Sequence, residues 1–135
     1  MVAARRDLMP ALVRYRRMSG GAMRQVGIFA AAGLWALDHN LDRLPEDHAN
    51  ARTIAERLAE SPAYAIDPAA VQTNILVWQV ADTAPYDAPT IVERARERGV
   101  LIFALGPRTF RAVTHLDVTA EQCAEAAATL VEVAA

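Results

Sequence analysis

From Val26 to Leu37 the chain carries no polar side chain: Val26, Ile28, Phe29, Leu34, Trp35 and Leu37 are separated only by alanine and glycine. At a helical period this run is apolar on every face, and such a helix is expected inside a larger core than its own neighbours can supply. The run falls short of the roughly 20 residues that a membrane span needs. Ahead of it lie Arg16, Arg17, the pair Gly20-Gly21, and Arg24. The two glycines are expected to form a flexible entry to the helix, and N–H groups that open a helix make an anion site. Arginine on both sides of that entry points to an anionic ligand.

The charge distribution sharpens this reading. Residues 1–24 carry six arginines (Arg5, Arg6, Arg14, Arg16, Arg17 and Arg24) against Asp7 alone, in a chain whose net charge is −2. A basic head on an acidic body suits a phosphate-facing surface, a nucleic-acid arm or a presequence. It equally suits a helix face that is simply solvated. All 14 basic residues are arginine. The chain therefore supplies neither a Schiff-base amine nor a lysine general base. One cysteine, Cys123, excludes an intrachain disulfide and a cysteine-held metal, and in its alanine-rich helical setting it reads as a small buried thiol. With 53% hydrophobic and 22% charged residues over 135 positions, one globular unit of ordinary size is expected. No apolar signal segment opens the chain, so a reducing, cytoplasmic setting is the expectation.

Along the chain, residues 4–17 have the spacing of an amphipathic helix, with Pro10 fitting only near its start. Asp42 is the expected N-cap of a third helix, with Pro45 in its first turn, Ala51, Ile54, Ala55 and Leu58 as its buried stripe, and Ser61-Pro62 as its end. The period then becomes alternating. Strands are expected at Tyr64–Ile66, Asn74–Val80, Val100–Leu105 and Thr109–Leu116, the last two forming a hairpin about Gly106-Pro107. A helix at Thr90–Arg98 stops at Gly99. Thr119 and Gln122 have the spacing of a capping box for the last helix. The expected fold class is α+β: a helical N-terminal arm, then a small antiparallel sheet with helices packed on one face. The expected division is 1–45 and 46–135.

Catalytic signatures are sparse. His39, His48 and His115 have no metal-ligand spacing, and no zinc, phosphate-loop or nucleophile-elbow motif occurs, so no metal is expected. Ser19 and Ser61 have no base nearby in the sequence. The exception is Arg108–Asp117. On a strand, Arg111, Val113 and His115 share one face and Phe110, Ala112 and Thr114 the other. A guanidinium on that face can grip a carboxylate through two parallel hydrogen bonds. Its plainer alternative is an edge-strand arginine in solvent beside a structural histidine.

Arg16-Arg17-Met18-Ser19-Gly20-Gly21-Ala22-Met23-Arg24-Gln25 resembles the R-K-M-x-G-G-G-M-R-Q segment of the low-specificity threonine aldolases. The likeness continues through Val26–Asp47 and Gln72-Thr73-Asn74, and ends with Arg111–Asp117, which is similar to the family's R-x-V-T-H-L-D. The matches run in order through nearly the whole chain. They resemble only the C-terminal third of the family: the end of the large domain, the linking helix and the small domain. What the resemblance implies is a pyridoxal-phosphate enzyme of the aspartate-aminotransferase-like fold, which cleaves threonine and similar β-hydroxy-α-amino acids to glycine and an aldehyde. It implies substrate-carboxylate binding by Arg111, and approach of Arg24 and Arg17 to the cofactor phosphate, from a neighbouring subunit in a homo-oligomer.

The departures bear on activity. The family's Schiff-base lysine, ring-stacking histidine, pyridine-facing aspartate and phosphate cup all belong to the part not resembled here. Arg17 stands where lysine is usual, and Ala22 replaces the third glycine, which narrows the loop's freedom. The chain alone is expected to be inactive, as a fragment or as one subunit completed by a chain supplying the N-terminal part. The rival expectation is a non-catalytic α+β domain that oligomerises or binds a small carboxylate. A nucleic-acid partner ranks behind both, because the basic head has no recognition motif, and no membrane partner is expected.

Overall fold

Alternation along Ile75–Val80 organises the sheet. Leu76, Trp78 and Val80 are buried, while Ile75, Val77 and Gln79 face outward. This is the pattern of an antiparallel sheet with one covered face. A computed structural model describes residues 2–135 of the chain. Two compact units emerge, Met1–Asp42 and Arg43–Ala135.

In the first unit a 3-10 turn at Arg6–Leu8 leads into helix α1, Met9–Met18, with Pro10 in its first turn, where the missing N–H costs nothing. Helix α2 covers Gly27–His39. None of its residues is buried; Ile28 is 73% exposed and Trp35 56%. The expected burial of this helix is not met within the chain. At its end Trp35 and His39 stack at 4.4 Å, and His39 Nδ1 lies 2.7 Å from the Trp35 carbonyl oxygen.

The diglycine also differs from expectation. The Gly21 N–H donates to the Arg16 carbonyl at 2.8 Å and the Gly20 N–H to that of Arg17 at 3.2 Å, with Gly20 at φ 73°. These two bonds are a Schellman closure of α1, which needs a left-handed residue that glycine adopts without strain. A Cβ at Gly21 would lie 3.2 Å from the Arg16 carbonyl oxygen. The pair thus ends one helix and does not open the next, and its amides are turned to carbonyls and not to an anion.

The second unit is the expected α+β layer pair. Helix α3 spans Leu44–Ala59, strand β1 Tyr64–Ala65 and strand β2 Ile75–Val80. Helix α4 spans Ala88–Glu97, strand β3 Phe103–Ala104, strand β4 Thr109–Val113 and helix α5 Ala120–Ala134. The strands run in the order β1-β2-β4-β3, antiparallel throughout. Helices α3 and α4 both pack on α5, through side chains as small as Ala51, Ala55 and Ala127. Trp78 stacks on Phe110 at 4.9 Å, and Tyr64 meets both rings edge-on. The Tyr64 hydroxyl donates to the Leu130 carbonyl at 2.7 Å, tying β1 to α5. Burial of each large apolar side chain such as Trp78, Phe110 or Leu58 contributes about 1.5–3 kcal/mol or more.

Element boundaries shift for local reasons. The N-cap of α3 is Arg43 rather than Asp42, with no side-chain cap bond. Helix α4 starts earlier than expected because Asp87 caps it, accepting from the Thr90 N–H at 3.0 Å. Strand β3 keeps two residues of an expected six. Gly99, at φ 82°, closes α4 so that the Val100 N–H donates to the Ala95 carbonyl, and the chain reaches β4 only at Phe103. The capping box is present in full: Gln122 N–H to Thr119 Oγ1 at 3.2 Å and Thr119 N–H to Gln122 Oε1 at 2.9 Å.

Candidate functional site

The outer face of the sheet is apolar around one cation. Arg111, in β4, pairs with Val77 of β2 on one side and Phe103 of β3 on the other. Ile75 stands across from Val113, one pleat along, and both are exposed. The Arg111 side chain is exposed and forms no ion pair or hydrogen bond among the described residues. Its neighbour Phe110 is fully buried on the opposite face, so strand alternation alone aims the guanidinium outward. An unpaired guanidinium on that face has its donors available to a planar anion.

Three separated segments meet just beyond Val113. The Thr114 hydroxyl, buried, donates to the Asp47 carbonyl oxygen at 2.6 Å, and the Thr114 N–H donates to the Asn74 carbonyl oxygen at 3.0 Å. Asn74 returns a bond from Nδ2 to the Thr114 carbonyl oxygen at 2.7 Å. The Asp47 carboxylate, also buried, accepts both arms of the Arg43 guanidinium at 3.1 and 3.2 Å. This cluster prolongs the β2–β4 ladder past its last strand residue and anchors it to the first turn of α3. It holds the register that puts Arg111 outside. Spacing alone gave no sign of it, because its members lie at positions 43–47, 74 and 114.

His115 is exposed beyond the strand. Its Nδ1 accepts from the Asp117 N–H at 3.3 Å, which leaves Nε2 as the donor of the neutral ring. A groove of about 550 Å³ lies nearby, bordered by Ile102, Thr114, His115, Val118 and Cys123, and Arg111 does not line it. Burial, and after it the charge of Asp47, pushes the Cys123 thiol above its usual value, so it is not a thiolate near neutrality. Among the described residues, no group of three His, Cys, Asp or Glu side chains is placed to hold a metal ion.

Arg17 and Arg24 belong to the first unit. Arg17 is in the last turn of α1, and Arg24 is in the turn before α2. Both are exposed and neither forms an ion pair among the described residues. The next residue, Gln25, sits at φ 52°. A non-glycine side chain in that region costs roughly 1–2 kcal/mol, so the turn carrying Arg24 is strained.

The second unit is an α+β layer pair that displays the Arg111 guanidinium on the exposed face of its sheet. The family of the whole chain can be stated. Residues 1–81 match the beta-eliminating lyases, and the chain belongs to that family. It is 44% identical over 128 residues to the low specificity L-threonine aldolase of Escherichia coli, a match covering 95% of this chain and 36% of that protein. Low-specificity L-threonine aldolase 1 of Arabidopsis thaliana is 34% identical over 104 residues, 77% of this chain and 29% of that one. A probable low-specificity L-threonine aldolase of Schizosaccharomyces pombe is 29% identical over 119 residues, with coverage of 88% and 28%. The chain spans about a third of the length of these curated relatives.

Proposed function

We propose that this chain is the C-terminal portion of a pyridoxal-phosphate-dependent, threonine-aldolase-like lyase, in which it supplies substrate and phosphate recognition. Residues 1–45 would end the large domain and form the interdomain helix, and 46–135 the small domain. The observation that carries the reading is Arg111, an unpaired guanidinium fixed by strand register on an apolar sheet face in a chain of the beta-eliminating lyase family.

The residues present fit the cofactor in part. Arg24 and Arg17 carry unpaired guanidiniums suited to a phosphate dianion. Nothing in the chain fits the cofactor's aldehyde, because there is no lysine. The bound cofactor supplies an electron sink for the pair released as Cα–Cβ breaks. This chain supplies no covalent step. Arg111 would hold the α-carboxylate of a β-hydroxy-α-amino acid in a bidentate grip, limiting the rotations open to the amino acid before cleavage. A second chain carrying the N-terminal part, or further copies, would cover α2, whose apolar side chains need a partner. A free buried thiol at Cys123 suits a reducing, cytoplasmic compartment.

The test is reconstitution. The chain alone, given pyridoxal phosphate and L-threonine, is expected to form no glycine or acetaldehyde. Addition of a polypeptide covering the remaining N-terminal part is expected to give turnover that Arg111→Ala removes. Turnover by the chain alone would sink the proposal. A second reading, favoured by the absence of lysine, is a non-catalytic domain that binds small carboxylates. It predicts a glycine-dependent shift of amide resonances, lost in Arg111→Ala, with no turnover in any mixture.

A further inference from the structure

We propose that Asn74, Thr114 and Arg108 are positioning residues: their side chains lock where β4 lies along β2, and so place Arg111 for a carboxylate grip. The lock stands on hydrogen-bond geometry, whereas its use in substrate binding rests on the role proposed for Arg111. Strand alternation fixes the face that a side chain takes and nothing more. With a period of two, a slip of one residue reverses both faces, but a slip of two restores them. Sliding β4 until Arg111 stands across from Gln79 would set Phe110 against Val80, Ala112 against Trp78 and Thr114 against Leu76. No charged side chain would turn inward. Arg111 would still face outward, but about 7 Å from its place beside Val77. A grip that is sensitive to errors of about 1 Å would be lost.

Polar side chains at both ends of the ladder remove this ambiguity. Beyond Val113 the Thr114 N–H donates to the Asn74 carbonyl at 3.0 Å, as in a ladder pair. The return bond comes from a side chain, Asn74 Nδ2 to the Thr114 carbonyl at 2.7 Å. The Thr114 hydroxyl ties the same point to α3 through the Asp47 carbonyl. At the other end the Val80 N–H donates to the Arg108 carbonyl at 2.8 Å, and again a side chain makes the return, Arg108 Nη2 to the Val80 carbonyl at 2.7 Å. That nitrogen also lies 2.8 Å from Asp82 Oδ1.

The bonds to Asn74, Asp47 and Val80 exist in one register only. A two-residue slip parts Thr114 from Asn74 and Asp47, and Arg108 from Val80. The two arginines of β4 and its lead-in therefore have different tasks. Arg108 turns its donors to the backbone of β2 and to Asp82, while Arg111 keeps its own free.

The register can be read by nuclear magnetic resonance of the full chain. Thr114–Asn74 and Arg108–Val80 are hydrogen-bonded pairs, so Arg111–Val77, an odd number of residues from each, is a close-spaced pair with neighbouring α-protons. Asn74→Ala combined with Thr114→Val is expected to weaken the Arg111–Val77 α-proton contact at least about twofold and to bring in one between Arg111 and Gln79. Asn74→Ala alone and Arg108→Met, each lacking one closing bond, are expected to move the same signals in the same direction, which covers a double variant that does not fold. Thr114→Ser keeps the hydroxyl and is expected to match the wild type. In the mixture completed by the N-terminal polypeptide, the double variant is expected to raise KM for L-threonine by about tenfold or more. Tyr64→Phe removes a buried hydrogen bond elsewhere in the unit, the one to the Leu130 carbonyl, and is expected to leave both readouts unchanged. Wild-type Arg111–Val77 contacts in every lock variant overturn the proposal, as does an equal rise of KM in Tyr64→Phe. A moved register with an unchanged KM overturns the role of Arg111 in carboxylate binding, and leaves the lock itself standing.

Discussion

Thr114 and Asp47 are joined by a buried hydroxyl-to-carbonyl hydrogen bond of 2.6 Å, which fastens the end of β4 to the first turn of α3. Thr114→Val keeps the shape and removes the donor. The Asp47 carbonyl keeps its helical backbone partner and loses only the hydroxyl, so the expected loss is that of one net hydrogen bond, about 0.5–1.5 kcal/mol. Urea denaturation followed by tryptophan fluorescence is expected to show a lower midpoint with an unchanged slope. An unaltered midpoint would mean that the Asn74 bonds hold the junction alone.

Gly20 sits at φ 73° with nothing near the position a Cβ would take. The space is open, but the conformation is not. Gly20→Ala is expected to lose roughly 1–2 kcal/mol from the closure of α1, read as reduced amide protection of Gly21 in hydrogen exchange. Full protection in the variant would refute the Schellman assignment.

Asp87 caps α4, and hydrogen bonds from the Thr90 side chain and then from its backbone N–H hold the Asp87 carboxyl below its ordinary value. A lowered folded value means that the stabilisation is complete above the unfolded pKa of 3.8 and fades as pH falls through the folded one. Asp87→Asn retains an oxygen acceptor and cannot titrate. Thermal midpoints of wild type and variant are expected to differ near neutrality and to converge in acid. Parallel curves throughout would exclude the linkage.

Cys123 is 4% exposed, and its raised pKa keeps the thiol protonated near neutral pH. Reaction with an aromatic disulfide reagent is expected to be slow in the native protein and to accelerate with unfolding. Rapid labelling under native conditions would place the thiol at the surface.

The features legible in the sequence are those whose physics is local. Strand alternation orients Arg111 and Phe110 correctly from β-period reasoning alone. Thr119 and Gln122 form their box because both partners lie within one turn. Where a competing interaction intervenes, pattern reading fails. Val100–Leu105 has the composition of a strand, but closure of α4 at Gly99 holds Val100 and shortens the pairing. Gly20-Gly21 fits either end of a helix, and only the hydrogen bonds to Arg16 and Arg17 decide between them. Asp47 looks like a surface acid in the first turn of a helix. Its burial depends on Arg43 and on a strand 67 residues away, which no local window contains. The apolar run 26–37 shows the reverse case: its helical form is local and met by α2, whereas its burial depends on residues outside the run.

Strand β4 carries Phe110 inward and Arg111 outward at consecutive positions. A slip of one residue against β2 would exchange the two, putting a guanidinium into the core and an aromatic ring into water. The strand therefore has no partly competent arrangement. Under the role proposed for Arg111, a chain that takes up a carboxylate there has already formed its interior, and ligand binding at that residue would serve as an assay of folding.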